Sequence, residues 1–218
     1  MKQIFLIIFF THFTFAVFSQ TLNQTSVQKN SIKISPTVNF DWSKSLKFKH
    51  NSTNVVTGLN INYQREDKLK NYHDVGFLIG FIPVTKKSNS YSGKQLGVEY
   101  NYKLVFAKFK NNSLQIYTAT GTQLIYRKLQ SADLKIPNFT SNSFIQNFSI
   151  SPGFQYSKNN FFFDFSLPTS IGYNIQKQHY LYPDFDTSQD ETSVKNNLQK
   201  NILLNWNVGV KAGIGAKF

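Results

Sequence analysis

The chain has four histidines and no cysteine, so few groups in it could carry out chemistry. His50, Asn51 and Ser52 set an imidazole and a hydroxyl two residues apart, on one face of an extended segment. A base beside a hydroxyl is the beginning of an activated nucleophile, which also needs a third group to orient the imidazole. The next acid, Glu66, lies beyond the following strand and on the opposite side of the membrane in the architecture derived below. A polar loop accounts for the same residues, and no catalytic residue is assigned.

A second cluster, Asp184, Asp186, Ser188, Asp190 and Glu191, offers oxygens at alternate positions, which suits Ca²⁺. An EF-hand loop would place Gly at 189 and a bidentate Glu at 195, where this chain has Gln189 and Lys195. A solvated acidic loop is the alternative; no metal or cofactor-binding residue is assigned, and no cofactor is expected. Before it stand His179, Tyr180, Leu181, Tyr182, Pro183 and Phe185, readable as an exposed contact surface or as an aromatic girdle. There is no phosphate-cradling Gly loop, histidine metal cluster or nucleophile elbow.

The elements that must position these residues are clearest at the end of the chain. From Ile202 through Leu204, Trp206, Val208, Val210, Ala212, Ile214 and Ala216 to Phe218 every second residue is apolar, with Asn, Gly and Lys in most of the gaps. That is a strand with one apolar face, longer than a globular strand needs. Seven more period-2 stretches precede it. Ile32, Ile34, Val38, Phe40 and Trp42 alternate with Lys33, Ser35, Thr37, Asn39 and Asp41, interrupted by Pro36. The others run through 54–63, 75–84, 95–106, 114–126, 144–156 and 161–175, with the register of the fifth the least defined because Thr118, Thr120 and Thr122 lie among its apolar residues.

Eight antiparallel strands, an even number, close a barrel with no unpaired edge. The connections are read as residues 43–53, 64–74, 107–112, 127–142, 157–160 and 176–199, together with a Lys/Ser/Asn/Gly-rich loop before the fourth strand. Those after the fourth and sixth strands are short, as periplasmic turns are. The one at 64–74 breaks that pattern. Trp42, Tyr63, Tyr126, Phe154, Tyr156, Phe161, Tyr173 and Phe218 fall near strand ends, as interfacial girdles require. A soluble barrel of the lipocalin kind, with the apolar face inward, shows the same alternation. Strand length, terminal Phe218 and loop asymmetry favour the membrane.

Met1, Lys2 and Gln3 precede the apolar run 4–18, too short for a spanning helix, and Val17 and Ser19 suit cleavage after Ser19, which reads as a signal peptide over 1–19. A leader over 20–30 and a barrel over 31–218 follow. Without Lys2 the chain keeps 23 basic residues (24 less one) against 11 acidic, a net of +12. That surplus favours anionic neighbours such as lipopolysaccharide phosphates or acidic glycans, with nucleic acid not expected as a partner. With the apolar set outward, Lys33, Asp41, Glu99, Lys103, Asp164 and Lys211 enter an interior just wide enough for side chains to fill, forming paired charges rather than a pore.

The final residues, Lys211, Ala212, Gly213, Ile214, Gly215, Ala216, Lys217 and Phe218, resemble the C-terminal signal of bacterial outer-membrane barrels. With the strand pattern, the mature chain resembles the small outer-membrane β-barrel family that includes OmpX and the OmpA membrane domain. The Gln20 start and the Phe, Asn and Lys richness are similar to Bacteroidetes members. The resemblance implies an outer-membrane location and insertion by the barrel-assembly machinery. His50 and Ser52 resemble the catalytic pair of outer-membrane lipid A deacylases, which leaves a lipid A-modifying enzyme as one alternative and a soluble binding barrel as another. The leading expectation is a non-enzymatic surface barrel presenting basic loops for adhesion, ligand binding or envelope support.

Overall fold

Alternation along the sequence becomes an inside and an outside in the computed structural model, which describes residues 30–45, 51–83, 91–109, 113–131, 139–183 and 194–218. Residues 1–29, where a signal segment and leader are expected, His50 and the acidic run 184–191 with Phe185 fall outside these residues. Nine strands follow in order: β1 (Asn30–Ser45), β2 (Asn51–Glu66), β3 (Tyr72–Ile82), β4 (Tyr91–Phe109), β5 (Leu114–Ser131), β6 (Phe139–Lys158), β7 (Phe161–Ser166), β8 (Thr169–Pro183) and β9 (Val194–Lys217). Each pairs antiparallel with its neighbours, and β9 returns to β1 from Ser31↔Lys217 to Ser45↔Leu203.

β7 and β8 are two pieces of one stave. Both lie between β6 and β9, and the register runs through the break unchanged, from Ser166↔Lys211 to Thr169↔Val208. The expected continuous seventh strand is interrupted at Leu167 and Pro168, because proline has no N–H to give the ladder. Pro36 acts similarly: the pairing of β1 with β9 is interrupted between Ile34↔Ile214 and Thr37↔Lys211 and resumes in the same register, while that with β2 is continuous. The ring therefore has eight staves.

Following paired residues from Leu204 through Tyr173, Gln146, Leu124, Val98, Phe77, Ile61 and Ile34 returns to β9 at Ile214, ten residues along. For eight strands that stagger corresponds to a tilt of roughly 40°, within the usual range for closed barrels. Ile34, Phe40, Ile61, Phe77, Val98, Phe148, Phe163, Leu204 and Trp206 are all exposed on the outer wall. Lys33, Asp41, Asn62, Asp74, Glu99, Asp164 and Asn205 are buried within. An exposed apolar wall around a polar centre excludes the soluble barrel with a dry centre.

The fifth stave keeps the expected parity, with Thr118, Thr120 and Thr122 on the same face as Ile116 and Leu124; Thr120 and Thr122 meet Ile150 and Phe148 of β6. Two inward positions there and in β8 require glycine. A Cβ on Gly121 would strike the Tyr100 carbonyl oxygen, and one on Gly172 the Gln146 carbonyl oxygen. β4 bulges between Val105 and Ala107, so that Phe106 stays on the outer wall and the parity beyond it shifts by one, setting Ala107 and Phe109 opposite Ile116 and Leu114.

Several connections are shorter than the sequence implies. Residues 64–66 and 72–74 are strand, leaving a tight turn at 67–71. There the Asp67 carboxylate accepts from the backbone N–H groups of Leu69 and Asn71 at 2.8 and 2.9 Å, while Lys70 takes a φ of 65°. The turn after β2 thus obeys the short-turn pattern it was expected to break. β6 and β7 are joined by Asn159, at φ 56°, and Asn160. At the other end, residues 127–131, 139–142, 176–183 and 194–199 are strand rather than loop. β8 and β9 stay paired up to Pro183↔Val194, nine residues of β9 beyond the last partner it finds in β1.

Candidate functional site in the barrel interior

Strand parity sends every second residue inward, and in this barrel those residues carry opposite charges. Near the periplasmic end Asp164 of β7 is fully buried and receives three donors: Lys103 Nζ at 2.6 Å, Tyr117 Oη at 2.9 Å and Lys33 Nζ at 3.3 Å. Lys33 also donates to Asp74, 3.3 Å away. Asp74 accepts from Gln64 at 2.8 Å and from Asn62 at 2.6 Å, and Asn62 is also 2.6 Å from Glu99. Glu99 takes Lys211 at 2.5 Å and Gln123 at 3.1 Å. Lys103 further donates to Gln155 at 3.2 Å and sits 4.0 Å from the centre of the Tyr117 ring.

The group contains three lysines and three carboxylates, so its formal charge is zero. Its members come from β1, β2, β3, β4, β5, β6, β7 and β9, which is every stave of the ring. An unpaired charge here would cost several kcal/mol, and hydrogen bonds to the remaining lone pairs offset the loss of water.

The half nearer the cell surface is built differently. Leu78, Ile125 and Ile145 form one buried apolar cluster, and Val56, Ile82 and Leu129 form another. Beside them Arg127 Nη2 lies 2.5 Å from Asp41, while Arg127 Nε and Nη2 donate to Gln95 Oε1 at 3.1 and 3.0 Å. Asp41 Oδ1, Ser143 Oγ, Ser170 Oγ and Asn174 Oδ1 are buried with no hydrogen-bond partner. Between the halves lie two polar-lined cavities of about 40 and 30 Å³, sharing Thr37, Asn39, Asn60, Gln123, Ser149 and Pro168. Each has room for one or two waters.

All six charged residues expected inside, Lys33, Asp41, Glu99, Lys103, Asp164 and Lys211, are there. Asp74, Arg127 and Tyr117 join them and were not among the expected set. Asp74 and Arg127 fell in segments read as loops; their parity with Gly76 and Ile125 is the signal that finds them. Of the candidate chemistry only part lies within the described residues, the acidic run 184–191 being outside them. Ser52 belongs to β2, opposite Ser43, with His50 outside the described residues. His179 to Pro183 extend β8 instead of opening a loop. Among the described residues no three His, Asp or Glu side chains converge on a metal site.

Comparison with protein-family models gives no match, and neither does comparison with curated protein sequences. Solved structures do match. The chain aligns with a major outer membrane protein of Thermus thermophilus at 10% identity and a TM-score of 0.51, covering 86% of this chain and 99% of that one. It aligns with Ail, the attachment invasion locus protein of Yersinia pestis, at 14% identity and a TM-score of 0.45, over 87% and 98%. For the outer membrane protease OmpT of Escherichia coli the figures are 10%, 0.43, 92% and 100%. The Thermus likeness places the fold among outer-membrane β-barrels. With the apolar wall running round the ring, the chain is a transmembrane barrel of the outer membrane.

Proposed function

We propose that this barrel is non-enzymatic and non-conducting, a plugged scaffold that holds surface segments above the outer membrane for adhesion, ligand capture or envelope support. The observation supporting this reading is the neutral knot of Lys33, Lys103, Lys211, Asp74, Asp164 and Glu99. With its hydrogen-bond partners Asn62, Gln64, Tyr117, Gln123 and Gln155 it ties all the staves together, and it occupies the axis an ion would have to follow. The tall β8–β9 hairpin fits the same role, since it continues the wall well past the point where β1 ends. Assembly by the barrel-insertion machinery, reading the closing strand β9, belongs to this proposal.

Reconstitution into planar bilayers tests it. The expected record shows no stable conductance steps, for the natural chain or for Asp164→Ala. Steps that the substitution enlarges would make the network a gate. Parallel incubation with lipid A and with peptides should leave both intact, and turnover of either would restore an enzymatic reading.

A further inference from the structure

The outer wall changes character at its extracellular rim. There Lys94 of β4 pairs across the sheet with Lys128 of β5, Lys128 with Asn142 of β6, and Asn142 with Lys177 of β8. All four share the parity of the outer wall; the three lysines are exposed and Asn142 is half-buried. One step toward the periplasm on the same strands, the outward residues are Leu96, Tyr126, Phe144 and Ile175. The amines therefore sit where acyl chains give way to headgroups.

Like charges directly opposite on an antiparallel pair repel, and the register fixes Lys94 against Lys128. The described chain supplies nothing to offset them. Asp41, Glu66, Asp74, Glu99 and Asp164 are buried inside the barrel, and Asp67 lies in the periplasmic turn. No carboxylate among the described residues stands on the outer wall, and none pairs with Lys94, Lys128 or Lys177. Asn142 adds a directional element: its Oδ1 accepts from Tyr126 Oη at 3.1 Å, which leaves Nδ2 as a donor between two amines.

We propose that this arc is a docking site for the phosphorylated headgroup of an outer-leaflet lipid, its acyl chains lying along Leu96, Tyr126, Phe144 and Ile175. Charge complementarity selects the occupant. Three amines and an amide donor suit phosphate oxygens, and the apolar row directly beneath suits a ligand that is lipid on its other side. The inference goes beyond the plugged-scaffold reading and does not depend on it.

The test is native mass spectrometry of the folded barrel in neutral detergent, titrated with bis-phosphorylated lipid A and with its dephosphorylated form. Heat-modifiable gel migration checks that every variant is folded. Lys94→Gln, Lys128→Gln and Lys177→Gln together should weaken lipid A binding at least about tenfold, given the attraction each lysine contributes near an anionic surface. The same charge change at the periplasmic rim, Lys68→Gln, Lys108→Gln and Lys158→Gln, should leave it unaltered. Dephosphorylated lipid should bind the natural barrel no better than lipid A binds the rim variant, a comparison that needs no variant to fold. Full binding by the rim variant, equal losses in both triples, or indifference to the phosphates would overturn the proposal. So would displacement of lipid A by an equal concentration of inorganic phosphate, since the arc would then be a plain anion site.

Discussion

Asp164 and Ile145 are both fully enclosed, one in each half of the barrel, yet opposite means hold them. Asp164 is surrounded by two lysines, a tyrosine hydroxyl and the hydrogen-bonded neighbours of those groups. Ile145 packs against Leu78 and Ile125. Interactions between ions are long-ranged and unforgiving of a missing member, whereas an apolar contact is lost locally. The periplasmic half should therefore behave as one cooperative unit, and the surface half as separable patches.

The largest expected effect comes from Asp164→Ala, which takes the carboxylate from buried Lys103 and leaves Lys33 with Asp74 alone. Breaking a buried pair in this way costs about 3–5 kcal/mol. Urea unfolding of the refolded barrel, followed by tryptophan fluorescence, should show that drop. A loss below about 1 kcal/mol would mean that water replaces the carboxylate and that the two halves do not differ as described. Ile145→Ala, the matching change above, should cost about 2–4 kcal/mol through transfer and cavity terms. Its effect should add to that of Asp164→Ala, since the sites share no partner.

A sharper contrast comes from replacing whole pairs. Asp41→Leu with Arg127→Met removes both members of the upper ion pair and should change stability by no more than about 1 kcal/mol in either direction. Arg127→Met alone leaves Asp41 buried and unpaired, and should lower the unfolding midpoint clearly. Equal losses in the single and double variants would show that Gln95 and the apolar clusters, not charge balance, govern that half. The smallest effect belongs to the break in the seventh stave. Pro168→Ala returns an N–H to the ladder and should stabilise by about 0.5–1 kcal/mol, read as slower amide exchange at Gly209 and its neighbours.

The barrel itself was legible because lipid and a filled interior impose opposite demands on successive residues. Lys33 and Ile34, or Asp164 and Phe163, can be sorted by parity alone. That signal fades wherever the outward residues are as polar as the inward ones. Residues 127–131 and 176–183 extend strands past the apolar band, where outward Lys128 and Lys177 stand next to inward Arg127 and Gln176, so their composition reads as loop. Arg127 was missed for this reason. Asp74 was missed because the polar run ahead of Val75 is as consistent with a turn as with a strand entering the interface. The partners inside were less legible still: that Asp164 meets Lys33 and Lys103 depends on a ten-residue stagger, and no single strand encodes it.

Asn30 and Phe218 exchange both backbone hydrogen bonds, Asn30 N to Phe218 O at 3.2 Å and Phe218 N to Asn30 O at 2.9 Å. The first and last residues of the ring are therefore already neighbours, and a peptide bridge of a few residues could splice them without disturbing any stave. New ends could then be opened at the opposite end of the barrel, between β1 and β2 or between β5 and β6. The same molecule would then carry fused cargo outward from its free termini.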